Sequence, residues 1–263
     1  MPLLEDEARK LLNESGASLI RYFTRLSEAP TEFWWVGCDS YGAMLPHKKT
    51  RNQIRRAYKT CTVRRIGTDI LKEQGYACYT AAFSRYKDAS PVSSEEFTRQ
   101  IDKQEGAPYE RWGVFVDSAL AGFANCVAED GWVSLVSMKL DPAFLEHYPA
   151  YALMDTLCTE YVEKSGRGIW NGFRPVSHDT NMQEFLTKFG FRRNYCDLKI
   201  VYSARLRPLI SLGFALRPVI KLLPNLGPMS SFQSLLLQES FRRKIESQTD
   251  FSLPGSNGVR HAQ

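Results

Sequence analysis

A histidine and an aspartate stand side by side as His178 and Asp179, in the polar segment FRPVSHDTN. Histidine is the side chain that ordinarily changes charge near neutral pH, and a neighbouring carboxylate can orient its ring. Such a pair could remove a proton from a substrate as a general base. The sequence therefore marks both residues as candidate catalytic groups. The alternative is that Asp179 only caps the helix that follows.

Four further polar side chains are candidates for binding a substrate. Arg174 could hold a carboxylate or a phosphate through two parallel hydrogen bonds, and Asn171 could line an acceptor pocket. Glu146 and His147, in the segment LEHYPAYAL, could hold a phosphate or substrate with their side chains. Each has a plainer alternative, which is a surface arginine, a packed strand residue or a solvated loop.

A basic segment gives the clearest charge signal. Residues 48–65 carry eight Lys or Arg side chains and no acidic one. Arg51, Arg55 and Lys59 recur every fourth residue, which places them on one face of a helix. Uncompensated repulsion along a helix face costs a few tenths of a kcal/mol per pair, so an anion is the natural partner, and a solvated face is the alternative. The candidate anion-binding residues are Lys48, Arg51, Arg55, Arg56 and Lys59.

Hydrophobic spacing predicts the elements that must position these side chains. It predicts one or two amphipathic helices over residues 3–28, a strand at EFWWVGC and a helix at KKTRNQIRRAYK. A short strand, TVRRI, then leads to a helix, TDILKEQG, that Gly75 is expected to close. SSEEFTRQID predicts a helix that a serine caps.

The second half of the chain predicts a mixed sheet. RWGVFVDS, ALAGFANCVAED and WVSLVSMKLD are three strand-like runs joined by turn residues, as in an antiparallel meander. A helix, a strand at IWNGFR, a short helix and a last strand at FRRNYCDLKIVY follow. A helix between two strands of one sheet favours a parallel crossover. The predicted fold class is α+β, with a mixed sheet flanked by helices.

Composition and cysteine usage restrict the class of protein. The chain has 263 residues, 24% of them charged, and a formal net charge of +5, which is ordinary for a globular protein. The six cysteines form no CxxC pair, so we expect reduced thiols in a cytoplasmic protein and no metal site. The first residues lack the pattern of a signal peptide, and no run of about 18 apolar residues predicts a membrane span.

The C-terminal region has a charge pattern of its own. From Leu198 to Gln238 there is no Asp or Glu, and basic residues alternate with apolar stretches such as LISLGF and PVIKLLP. Apolar surface with only basic charges suits an anionic membrane surface. The alternative is that this segment packs back on the protein and completes its core.

The order of elements carries a family resemblance. The segment TNMQEFLTKFGFRRNY has a short helix that ends in Lys-Phe-Gly-Phe before the last strand, which resembles the closing motif of the GNAT acyltransferase fold. This resemblance implies a left-handed helix terminator at Gly190, a packed Phe191, and a sheet that splays around residues 134–141 and 169–174. It also implies that Asp179 and Asn181 stand where the pantetheine arm of a thioester passes.

A second segment, KKTRNQIRRAYKTCTVRRI, resembles a helix–strand unit of the FemAB-like branch of that superfamily. Members of the branch add acyl or aminoacyl groups to amines on cell-wall precursors, sugars or metabolites. The two resemblances cover roughly residues 40–202. They imply a GNAT-like core over residues 41–202, after an N-terminal helical extension with the first strand (1–40). An apolar basic helical segment (203–250) and a disordered tail (251–263) follow.

The resemblance implies an N-acyltransferase that forms an amide on a small-molecule amine, such as a sugar, a sugar nucleotide or a cell-envelope or secondary-metabolite precursor. Acyl-CoA would be the donor, with no metal. Two departures keep alternatives open. LEHYPAYAL lacks the family's glycine turn and Pro149 removes a backbone donor, while Leu186 replaces the usual tyrosine acid. One alternative is that the donor is an aminoacyl-tRNA. The other is that the protein is a non-catalytic module that binds an anion or the inner membrane surface.

Overall fold

The computed structural model describes residues 5–26, 30–42, 47–86, 90–106, 108–129, 131–175, 181–220 and 228–251, and these contain eight strands and ten α-helices. The strands are β1 (Leu19–Leu26), β2 (Trp34–Cys38), β3 (Cys61–Arg65), β4 (Tyr109–Val116), β5 (Ala119–Ala128), β6 (Trp132–Leu140), β7 (Gly168–Phe173) and β8 (Arg192–Tyr202). The helices are α1 (Glu5–Ser15), α2 (Lys48–Ala57), α3 (Thr68–Ile70), α4 (Tyr76–Phe83), α5 (Ser94–Lys103), α6 (Pro149–Cys158), α7 (Met182–Thr187), α8 (Leu206–Ala215), α9 (Arg217–Ile220) and α10 (Pro228–Phe251).

The chain forms two compact units. The central unit comprises Val36–Gly172 and Asn181–Arg193, and the terminal unit comprises Met1–Trp35, Phe173–Thr180 and Asn194–Gln263. The boundaries expected at residues 40 and 202 stay predictions, and the tail expected to be disordered lies outside the described residues beyond Phe251.

The central unit holds a mixed sheet, as predicted. β4, β5 and β6 form the antiparallel meander, β3 pairs antiparallel with β4, and β7 pairs parallel with β6. At the first turn of the meander Asp117 has a φ of 54°, a left-handed conformation that aspartate tolerates better than most residues. Helix α6 crosses between the parallel strands and packs over β3, β4 and β5.

Close packing around Gly75 explains why the helix end predicted there is wrong. The helix predicted to close at Gly75 continues instead through a π-helical turn, Leu71–Gly75, into α4. Gly75 has a helical φ of −67°, and a Cβ there would lie 2.6 Å from Leu71 Cδ1 and 3.5 Å from the Phe97 ring. The glycine is therefore needed for close packing and not for a chain reversal. Ser93 caps α5 as predicted, accepting a hydrogen bond from the Glu96 backbone N–H.

The terminal unit corrects the prediction for residues 3–28. The helix ends at Ser15, and Leu19–Leu26 forms β1, antiparallel to β8. Alternate residues decide this: Ile20 and Tyr22 pack with α1 and Val201, while the Phe23 ring lies 5.2 Å from the Phe173 ring. Successive residues of β1 therefore pack on opposite faces of the strand. A helix of this length with a single apolar stripe could not make contacts on both sides in this way.

Helix α10 packs on the strands of the terminal unit. Its Phe241 and Ile245 belong to one buried hydrophobic cluster with Phe33 and with Cys196 and Leu198 of β8. All six cysteines of the chain are free and buried, in keeping with their role as small core residues. Within the described residues, no helix combines the length and the apolar character needed to cross a membrane.

The turn after α7 is left-handed, as the closing motif predicted. Gly190 has a φ of 81°, and Phe191 behind it is buried. A Cβ at Gly190 would come no nearer than 3.6 Å to the Ser40 carbonyl oxygen, so space is available. The need for glycine therefore comes from the backbone conformation.

We expect Gly190→Val to lower the free energy of unfolding by about 1–2 kcal/mol or more, because a β-branched residue is strained in the left-handed region. Chemical denaturation of both proteins measures the difference. Gly190→Asn is the matched control, since asparagine adopts this conformation more readily and should lose less. Equal stability of the valine variant and the parent protein would refute the assignment.

Candidate functional site

The parallel pair β6 and β7 opens part of the way along its length. The two strands pair only from Trp132–Gly168 to Ser134–Trp170, whereas β6 continues to Leu140. The expected splay of the sheet is confirmed at this point. We call the opening between β6 and β7 beyond Ser134 the seam.

On its other edge β6 carries a β-bulge at the same level. Between the pairs Asn125–Ser137 and Cys126–Leu135 the register skips one residue of β6, Val136, whose side chain is exposed. A bulge turns the local backbone and leaves one residue out of the ladder. The seam therefore begins where β6 is both bent and free of β7 pairing in the described residues, so its backbone N–H and C=O groups can receive an extended ligand.

Asn171, a predicted substrate-binding residue, lies at the entrance of the seam. Its side-chain Nδ2 donates to the Leu135 carbonyl oxygen at 3.1 Å. Asn171 is the first residue of β7 beyond the paired segment. Its side-chain hydrogen bond therefore replaces the backbone pairing with β6 that ends at the preceding residue. The structure thus puts Asn171 beside the predicted location, and its role toward a substrate stays a prediction.

β6 leads to the start of α6 through a compact, strained connection. A 3-10 turn, Pro142–His147, ends at Tyr148, whose φ of 58° and ψ of 41° are left-handed, and α6 begins at Pro149. For a residue with a Cβ this conformation costs roughly 1–2 kcal/mol. Glu146 and His147, both predicted to bind substrate, lie in the last turn before it, with His147 Nε2 3.7 Å from Glu146 Oε1. Strain of this kind tends to occur at functional positions.

Two cations meet aromatic rings at the start of α6. The Arg56 guanidinium lies 4.9 Å from the centre of the Tyr148 ring. Lys188 Nζ, which follows α7, lies 3.5 Å from the Tyr151 hydroxyl and 5.7 Å from the Phe185 ring. Positive charge from α2 and from the turn after α7 therefore collects where an α-helix begins, which is also where backbone dipoles favour an anion.

Helix α2 carries exposed and unpaired positive charge, as predicted. Lys48 and Lys49 lie in its first turn, where cations oppose the helix dipole, and no side chain caps this end. In the described part of the chain none of the α2 cations forms an ion pair, and Arg55 makes only a 3.5 Å hydrogen bond to Asn52. The helix ends at Ala57, so Lys59 lies in the following turn and not on the helix face with Arg51 and Arg55.

A half-buried carboxylate on α6, which the sequence analysis missed, joins this helix to the residue that follows α2. Asp155 Oδ2 accepts a 2.8 Å hydrogen bond from the Tyr58 hydroxyl, and its Oδ1 accepts one of 2.5 Å from the Tyr41 hydroxyl. Burial raises the pKa of both tyrosines above the ordinary range, and the Asp155 contact raises it further for Tyr41, so both hydroxyls stay protonated donors. The sequence does carry a sign of this contact, because Asp155 is a single acidic residue inside the apolar run YALMDTLC.

The other predicted residues lie elsewhere. In the terminal unit Arg174 donates to Glu32 Oε2 at 2.9 Å and stacks 4.5 Å from Trp34 and 4.1 Å from Phe241, so its guanidinium is already engaged. Asn181 is exposed at the start of α7 and makes no side-chain cap bond. The candidate catalytic pair, His178 and Asp179, lies outside the described residues. Within those residues no group of three or more His, Cys, Asp or Glu side chains could hold a metal ion.

Comparison with known proteins shows the fold. No family model matches the chain, and no curated protein matches it. Among solved structures, FemX superposes with a TM-score of 0.52 at 12% identity, over 80% of this chain and 72% of FemX. The C-terminal domain of a protein described as a lysylphosphatidylglycerol synthetase from Agrobacterium fabrum superposes with a TM-score of 0.52 at 11% identity, over 79% of this chain and 69% of that domain.

L-PGS from Bacillus licheniformis is similar as well, with a TM-score of 0.51 at 12% identity over 90% of this chain and 72% of that protein. The expected GNAT-like fold, with its likeness to the FemAB-like branch, is therefore confirmed. At this level of identity the likeness concerns the fold alone, because one fold can carry many different chemistries.

Proposed function

We propose that this protein is an acyltransferase that forms an amide on an amino group, using a donor that carries phosphates. One observation supports this above the others. The seam between β6 and β7 opens at the bulge in β6, and the same strand leads directly to the cationic start of α6. An extended donor arm could therefore lie along the free edge of β6 while its phosphates meet Arg56 and Lys188.

Acyl transfer to an amine requires little further chemistry from the protein. The amine must lose a proton, the acyl carbonyl must be polarised, and the two must be held together. Backbone N–H groups along the seam are suitable donors to a developing negative charge on the carbonyl oxygen. His178 with Asp179 stays our candidate for the proton acceptor. Leu186, at the usual tyrosine position, is fully buried and cannot take part.

Our first candidate donor is an acyl-CoA. Its phosphates match the small group of cations at the start of α6, and its pantetheine arm is the kind of extended chain that pairs with a free strand edge. The acceptor we propose is an amine on a sugar, a sugar nucleotide or a cell-envelope precursor, the substrate class of the branch that the sequence resembles.

Our second candidate donor is an aminoacyl-tRNA, and two observations favour it. α6 begins with Pro149, which has no backbone N–H to offer a pyrophosphate. The unpaired cations of α2 also extend well beyond what one small cofactor needs, and such a helix suits a nucleic-acid backbone. One structural neighbour is described as a synthetase of a lysyl lipid, which agrees with transfer of an aminoacyl group.

Thermal unfolding with added ligand tests the proposal. Coenzyme A at a hundredfold excess over its Kd should add about 2.7 kcal/mol of stability. If coenzyme A gives no shift and tRNA binds with strong salt dependence, the second donor is correct. Failure of both ligands to bind would refute the proposal, and binding of either without acyl transfer to any amine would favour a non-catalytic module.

A further inference from the structure

Helices α8 and α9 in the terminal unit expose a continuous apolar stripe. It consists of Leu209, Leu212, Leu216 and Val219, whose exposed fractions are 57%, 60%, 49% and 60%. Leu209, Leu212 and the C-cap residue Leu216 follow at a spacing of three and four residues, which puts them on one face of α8, because a helix turns by about 100° per residue. Val219 is the exposed apolar residue of α9. Isolated exposed leucines are ordinary, but an aligned set on one helix face marks an interaction surface.

The opposite face of α8 is packed, so the stripe is not a loosely placed core helix. Ile210 and Gly213 are buried, and a Cβ on Gly213 would lie 2.5 Å from the Phe232 ring of α10. The close approach of α10 fixes which side of α8 faces inward. The leucines therefore stay outside because of how α8 packs.

The charges within the segment that carries the stripe are all positive. No acidic residue occurs between Leu198 and Gln238. Arg205, at the N-cap of α8, lies on the same side of the helix as the stripe by the 100° rule, whereas Arg207 lies near the opposite side; Arg217 is the first residue of α9. In the described residues neither Arg205 nor Arg207 has an acidic partner within ion-pair distance. Long basic side chains at the edge of an apolar face can extend toward headgroups while their stems stay apolar.

A separate cleft lies beside the start of α8. It has a volume of about 200 Å³, and its basic lining residues are Arg9, Lys199, Arg207 and Arg242. Glu5 and Glu246 also line the cleft and neutralise most of this charge. Glu5 pairs with Arg9 at 2.5 Å, and Glu246 pairs with Arg242 at 2.7 Å and with Lys199 at 3.6 Å. Arg207 has no acidic partner in the described residues, so the cleft can hold a phosphate on the side of α8 that faces away from the stripe.

We propose that α8 and α9 form a membrane-docking surface that lies in the interface of an anionic lipid bilayer. The four apolar side chains would enter the boundary between headgroups and acyl chains, and the arginines would contact lipid phosphates. A second copy of the chain fits less well, because a two-fold contact through this face would bring like-charged arginines together. The proposal is independent of the acyl-transfer chemistry, and its test reads lipid binding alone.

The test uses the full chain and flotation with vesicles of phosphatidylcholine, with or without about 30% phosphatidylglycerol. We expect Leu212→Asp with Leu216→Asp to lower the partition onto anionic vesicles by about tenfold or more, since the contact depends on buried apolar area. Leu11→Asp, at a 46% exposed leucine of α1, is the matched control and should bind as the parent does. Leu212→Ser with Leu216→Ser serves as the milder variant if the aspartates impair folding, which circular dichroism would reveal.

A second variant separates the electrostatic part. Arg205→Gln with Arg217→Gln should reduce binding to anionic vesicles and flatten its salt dependence. The proposal is overturned if the leucine variants partition as the parent protein does, or if the parent protein binds no anionic vesicle at low salt. It is also overturned if the leucine variants dissociate a dimer in analytical ultracentrifugation while vesicle binding is unchanged, because the face would then bind a second copy.

Discussion

Reversing two charges on α2, Arg51→Glu with Arg55→Glu, is expected to weaken binding of the phosphate-bearing donor by about a hundredfold at about 50 mM salt. Both side chains are exposed and neither has an acidic partner in the described residues. The change therefore costs the protein no internal ion pair, while it replaces attraction to phosphate by repulsion. Donor affinity can be measured by filter binding for tRNA and by calorimetry for coenzyme A.

Salt dependence shows whether the loss is electrostatic. For a tRNA donor, each phosphate contact removed should reduce the slope of log K against log salt by about one, so the double variant should lose about two. Arg85→Glu with Lys103→Glu is the matched control, because it makes the same charge change at exposed positions away from α2. An equal effect of the control would mean that net charge alone matters, and no effect of either would make α2 a solvated surface.

The sequence predicted the central unit well because its signals are local. Alternating apolar residues, turn residues and a serine cap specify β4, β5, β6 and α5 within short windows, and Gly190 marks a conformation that few residues adopt. β1 was missed for a physical reason. LIRYFTRL is compatible with a helical as well as an alternating spacing, and its partner β8 lies far away in the sequence, so only the tertiary pairing selects the strand.

Some features of the candidate site could likewise be predicted from the sequence, and others could not. The charge of α2 is readable from the sequence, because eight cations without an acid over residues 48–65 need no structure to be noticed. The clamp by Asp155 on Tyr41 and Tyr58 joins three distant segments, so it could not be found from spacing. The seam was expected only through the resemblance, since the end of a strand pairing depends on both strands.

The largest stability effect is expected in α10, at Glu239. Its side chain is 2% exposed and accepts hydrogen bonds of 2.7 Å from Arg242 and Arg243 and of 3.0 Å from the Tyr202 hydroxyl. Removing one member of a buried ion pair leaves the others uncompensated, which typically costs 3–5 kcal/mol. We expect Glu239→Gln to lower the free energy of unfolding by about 3 kcal/mol, the low end, because Arg243 reaches solvent and Arg242 keeps Glu246.

Glu246→Gln is the matched control for this prediction. Glu246 binds the same Arg242 at 2.7 Å but is 40% exposed, so its loss should cost about 1 kcal/mol or less. Urea denaturation of the three proteins at neutral pH measures both differences. Equal effects of the two substitutions would show that burial of Glu239 is not what makes its ion pairs important.

The pH dependence gives an independent check on the same residue. Burial alone would raise the pKa of Glu239, but hydrogen bonds from Arg242 and Arg243 outweigh it and hold that pKa below the ordinary value of 4.5. A depressed pKa in the folded state means that the stabilisation is complete above the unfolded value and is lost as the pH falls through the folded one. The stability difference between the parent protein and Glu239→Gln should therefore be constant from pH 6 to 8 and should shrink in acid below about pH 4.5. A difference that persists unchanged at pH 3 would mean that the ionised carboxylate is not the stabilising species.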